Sequence, residues 1–206
     1  MDWNIMPGIV IAALAAIGLP LALRGRKKAG PKKKEEFCQH LQKMGVKAYM
    51  MQTGDNREKI GQKRSWGEKS MGIIELRDRN VDFINITGVS SQYGTNYFID
   101  CLVKNTNIME KRMLRKTRLI RKKSPPLWGK VVAIEWVGDE SLSQGLNFDY
   151  GLEDKLLRSA LKDLRGSIRI FPEPRHEYAR IRTAYILPSS EAFEAIDIIA
   201  RHVKSW

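Results

Sequence analysis

Residues 3–23 carry no charged side chain in 21 positions, and that stretch constrains the rest of the chain more than any other. At about 1.5 Å per residue a helix of this length spans about 30 Å, the hydrocarbon thickness of a bilayer. The sequence therefore predicts one N-terminal transmembrane helix, with Trp3 at the interface and Pro7 and Pro20 near its ends. Arg24, Arg26, Lys27, Lys28, Lys32, Lys33 and Lys34 follow it, and only Asp2 and the amine precede it. The positive-inside rule then places the N-terminus outside and the remainder in the cytoplasm, giving a single-pass protein of the cell membrane. A cleaved secretory signal fits poorly, because its positive charge belongs before the apolar stretch. Gly8, Ala12 and Ala16 share one helix face, a small-residue pattern that allows close packing against another helix.

Three parts follow: the anchor at 1–23, a basic juxtamembrane stalk at 24–34 and a domain at 35–206. The net charge of +13 is concentrated in two blocks. Residues 24–34 contribute +7 and residues 104–123 contribute +8, so the rest of the chain sums to −2. Two cysteines, Cys38 and Cys101, are expected as reduced thiols in the cytoplasm.

The domain reads as α+β, with amphipathic helices and a mainly antiparallel sheet. A short helix over 35–44 presents Phe37, Leu41 and Met44 on one face and ends at Gly45. Strands are expected at 46–51, 73–77, 81–87, 96–104 and 131–137, with a turn at Asp78-Arg79-Asn80 and another over 88–95. The apolar parity switches within 81–87, which predicts a bulge or a strand covered on both faces. Residues 53–70 read as a long polar loop with Trp66 as its one large apolar side chain. In the last third, a helix over 151–164, strands at 167–171 and 178–187, and a helix capped by Ser189 or Ser190 follow in order. One composite sheet is simpler than a split near Pro125.

The most unusual soluble feature is the run 108–123. Drawn as a helix, it places Met109, Met113, Thr117 and Ile120 on one face and Lys111, Arg112, Arg115, Lys116, Arg118, Arg121, Lys122 and Lys123 over much of the remainder. Such a helix suits an anionic membrane surface, an acidic protein partner or nucleic-acid phosphates, and a plain solvated face gives the same letters. Nucleic acid is disfavoured, since no helix-turn-helix, zinc finger or RNA-binding motif is visible. Arg169, Arg180 and Arg182 fall on the polar face of the terminal hairpin, where they could clamp a phosphate or carboxylate.

Catalytic and cofactor signals are sparse. Cys38 and His40 lack the other ligands of a zinc site, so no metal is expected. Glu173, His176 and Glu177 occupy a proline-bounded loop that carries no recognisable acid–base pattern. Neither a phosphate-loop, a dinucleotide nor a Gly-x-Ser-x-Gly signature occurs, and no cofactor is expected. The reading is therefore an anchored accessory protein whose domain binds a partner membrane protein, itself or anionic lipid. The alternative is a tethered enzyme or small-ligand sensor with an unrecognised site.

Overall fold

The computed structural model describes residues 32–60, 67–109, 115–125, 130–160 and 168–206. Its centre is one eight-stranded antiparallel sheet in the order β1-β2-β3-β4-β8-β7-β5-β6. The strands are β1 (Lys47–Met50), β2 (Glu68–Arg77), β3 (Phe83–Ser91), β4 (Gly94–Lys104), β5 (Thr117–Ser124), β6 (Lys130–Val137), β7 (Arg169–Glu173) and β8 (Tyr178–Ala184). Among the described residues four α-helices accompany it: α1 over 32–43, α2 (Glu140–Asn147), α3 (Tyr150–Lys155) and α4 (Ser190–Lys204).

The expected fold class needs one correction. No helix among the described residues is long and apolar enough to cross a membrane. The longest of them, α4, has 15 residues, reaches only about 22 Å and is amphipathic, with Glu191, Glu194 and Arg201 along it. A single transmembrane helix, and with it the placement in the cell membrane with a cytoplasmic domain, thus finds no support. Residues 3–23, the Gly8, Ala12 and Ala16 face, and the stalk up to residue 31 lie outside the described residues.

The helices pack on one face of the sheet for the reason that their periodicity suggests. α4 begins where the Ser189 hydroxyl accepts from the Ala192 amide, and it buries Ala192, Phe193, Ile196, Ile199 and Val203. α1 adds Phe37 and Leu41, and the sheet answers with Ile74, Ile84, Ile86, Cys101, Ile170 and Ile181. Trp206 closes the far end, its indole donating to Asp139 at 2.9 Å. Cys38 and Cys101 are both free and buried in this core.

Several boundaries moved. The segment 88–95 is not a separate turn, since β3 and β4 pair continuously from Phe83–Leu102 to Ser91–Gly94. The parity change in β3 arises because the strand is covered twice. Ile84 and Ile86 face the helices, while Phe83 joins Ile60, Ile73 and Leu102 on the opposite face. That opposite face is roofed over β2–β4 by residues 51–60, where Asp55 caps a single 3-10 turn. Trp66 lies outside the described residues. The eight-residue helix α2, which buries Leu142 and Leu146, was not expected, and of the helix expected over 151–164 the described residues form α3 and a π turn, Leu156–Ala160.

The largest departure is the basic run. Residues 117–124 form strand β5 and not an amphipathic helix. Thr117 and Leu119 are buried and Arg118 between them is exposed, a period of two. The apolar strand β6 supplies a ladder partner from Arg118–Val137 to Ser124–Lys130, and that tertiary pairing overrides the helix preference of lysine and arginine.

Candidate interaction face

Residues that pair across antiparallel strands point to the same side of a sheet. Arg118 of β5 pairs with Arg169 of β7, Arg169 with Arg182 of β8, Arg182 with Asp100 of β4, and Asp100 with Asn85 of β3. These five side chains form one row on the face away from the helices. Arg180 lies in the next row, beside Phe171.

The row divides in two. Its inner end is a buried ion network beside the roof. Asp100, only 1 % exposed, accepts from the Thr87 hydroxyl at 2.7 Å, from Arg182 Nε and Nη2 at 2.7 Å each, and from Arg180 Nη1 at 3.4 Å. Arg182 also reaches Glu68 at 2.5 Å, and Arg180 reaches Glu173 at 3.0 Å. Burial works against the Arg182 charge, but Asp100 and Glu68 more than offset it and raise its pKa. The Arg180 guanidinium stacks 4.5 Å from the Phe171 ring centroid, and that of Arg182 lies 5.1 Å from Phe98.

The outer end is different. Arg118 and Arg169 are both exposed, directly opposite one another, and no ion pair or hydrogen bond engages either side chain among the described residues. Lys122 follows Arg118 on the same face of β5 and pairs with Glu135 at 2.9 Å. Lys116, at the mouth of β5, holds its ammonium 4.8 Å from the Phe171 centroid.

Of the three hairpin arginines read as an anion clamp, then, Arg180 and Arg182 are spent on internal carboxylates and only Arg169 is available. Its companion is Arg118, which the sequence had placed in another group. The basic run is split by the strand: Arg118 and Lys122 face the open side, while Arg121 and Lys123 face the other. Arg115 is exposed ahead of β5, and Lys111 and Arg112 lie outside the described residues. Period-two burial at Thr117 and Leu119 was the signal that could have brought Arg118 to this face. Nothing local could have paired it with Arg169, because the contact is between strands 51 residues apart.

Chemically, the arginines of this face are suited to an anion. Guanidinium groups stay protonated, donate in a planar fork and fit carboxylate or phosphate oxygens. Of the carboxylates beside them, Asp100, Glu68 and Glu173 are tied to arginines and Glu135 to Lys122. His176 is exposed in the Pro174–His176 turn, and Glu173 beside it serves Arg180. No cluster of metal-binding side chains occurs among the described residues. No protein-family model, curated protein or solved structure matches this chain.

Proposed function

We propose that this chain is a non-catalytic interaction domain that docks an acidic protein partner on the open half of its sheet, around Arg118 and Arg169. The opposition of these two exposed arginines carries the reading. Like charges directly across an antiparallel pair are destabilising, and an anion between them removes the penalty. The neighbouring Arg182 is already neutralised, so the cationic potential is focused on the β5–β7 strands. The half of the face over β2–β4 is roofed, and among the described residues no such roof covers the half over β5 and β7.

The test is an NMR titration of the folded chain with a short oligo-glutamate peptide, run in parallel with a single-stranded oligonucleotide and with vesicles containing phosphatidylserine. Shifts centred on Arg118 and Arg169, with affinity for the glutamate peptide lost in the Arg118→Ala/Arg169→Ala variant, support the proposal. Two charged hydrogen-bonding groups at about 1.5 kcal/mol each predict a loss of about a hundredfold. Stronger binding to the oligonucleotide or the vesicles would replace the protein partner with that polyanion. Shifts scattered over lysines with no response to the double variant would defeat the assignment of this face.

A further inference from the structure

A sheet has two edges, and each presents backbone groups with no strand to pair with. In this molecule both edges are touched by a side-chain amide from the adjacent helix. At β1, the Ala48 carbonyl accepts from Gln42 Nε2 of α1 at 2.8 Å. At β6, the Trp136 N–H donates to Asn147 Oδ1 at 2.8 Å, and the Trp136 carbonyl accepts from Asn147 Nδ2 at 3.0 Å. Asn147 thus makes the two bonds that one residue of a neighbouring strand would make.

Along the remainder of the β6 edge no strand is paired among the described residues. Trp136 pairs with Leu119, whose own N–H points away to Ile168. Trp136 and Leu119 are therefore a non-hydrogen-bonded pair, and Ile134 opposite Arg121, two residues along, belongs to the same set. The Ile134 N–H and C=O face outward beside those of Trp136, and none of the described residues meets them. Val132, the extra residue of a bulge, is 57 % exposed on the same stretch.

We infer that the outer edge of β6, from Val132 to Trp136, is a docking site for an extended acidic peptide that adds a ninth strand to the sheet. The inference rests on the proposed function and names the form the partner takes. Charge identifies the occupant. The β5–β6 strand pair carries Arg118, Arg121, Lys122 and Lys123, all on β5, against the single acid Glu135, and that acid is paired to Lys122. Two copies of an edge backed by so basic a strand repel each other, while an acidic strand is attracted by the β5 cations one strand inward. Asn147 occupies the last rung until the strand arrives and is displaced as the strand extends.

The experiment uses the full chain and a peptide of alternating glutamate and valine, with amide hydrogen exchange at Ile134 and binding affinity as readouts. Peptide binding is expected to slow exchange at Ile134, whose N–H meets none of the described residues in the free chain. Ile134→Pro removes the outward donor without touching the β5 ladder, a place where edge strands tolerate proline, and should weaken binding about tenfold or more. Asn147→Ala frees the Trp136 rung and should tighten binding a few-fold. If Ile134→Pro does not fold, the exchange rate in the unmodified chain and the Asn147→Ala affinity still decide. Binding that responds to Arg118→Ala/Arg169→Ala but leaves Ile134 exchange and both edge variants unchanged overturns the strand addition and spares the proposed function. An absence of any binding, with either acidic peptide, overturns both.

Discussion

Replacing Asp100 with alanine removes the hub of the buried ion network. The carboxylate receives two bonds from Arg182 at 2.7 Å, one from Thr87 at 2.7 Å and one from Arg180 at 3.4 Å. Deleting one partner of a buried ion pair leaves desolvated charge behind, at about 3–5 kcal/mol. Here the lower end applies, because Arg180 keeps Glu173 and Arg182 keeps Glu68. Asp100→Ala should therefore lose about 3 kcal/mol. Arg182→Ala should lose about 4 kcal/mol, since Asp100 would retain only Thr87 and the longer Arg180 contact. The double variant should fall short of the sum by about 2 kcal/mol, because both deletions remove the same bonds. Urea denaturation with an unchanged slope measures all three. Additive losses, or an Asp100→Ala variant within about 0.5 kcal/mol of the parent, would refute the network as an element that ties β4 to β8 at the inner end of the row.

Acid should weaken the α2–α3 junction through Asp149. Burial pushes its carboxyl up, but the His202 ring at 2.8 Å, the Leu152 amide at 2.9 Å and the Arg201 charge outweigh this and hold its pKa below the ordinary value. A pKa lower in the folded state gives stability that is present above the unfolded value of about 4 and lost as pH falls through the folded one. Asp149→Asn should flatten that acid limb in denaturation midpoints, and parallel limbs would exclude the linkage. Gly138 has φ of +146°, and a Cβ there would lie 2.3 Å from the Lys116 carbonyl oxygen and 2.6 Å from the Thr117 Cα. Gly138→Ala should cost about 2 kcal/mol or more, because the obstacle is backbone, and a calorimetric midpoint equal to the parent's would contradict that close approach. Burial, with Asp100 and Asp197 adding to it, pushes the Cys101 thiol far up, and burial raises Cys38 against a weaker pull from Lys34. Neither thiol should react with dithionitrobenzoate in the native state, and both should react in guanidinium; rapid native labelling would contradict their packing.

Local pattern alone determined much of the scaffold. Phe37, Leu41, Ala192, Ile196, Ile199 and Val203 repeat at helical spacing, and each is buried as that spacing requires. Ser189 caps α4 because a hydroxyl there reaches an amide three residues on, a contact fixed by sequence distance. Gly45 ends α1 at a φ of +79°, a conformation that glycine adopts without strain. The α+β class and the strand β6 follow from the same short-range periodicities.

Tertiary structure decided the rest. The run 117–124 is compatible with a helix by composition, and the ladders to β6 and β7 make the strand the lower-energy choice. Arg180 and Arg182 look like surface charges in a hairpin, but Asp100 and Glu68, 80 and 114 residues away, draw them into an internal network. Arg118 and Arg169 become a pair only because the sheet order, and not the chain order, places β7 beside β5. No window of sequence contains both partners of such contacts, so the face they build belongs to the fold and not to any segment of it.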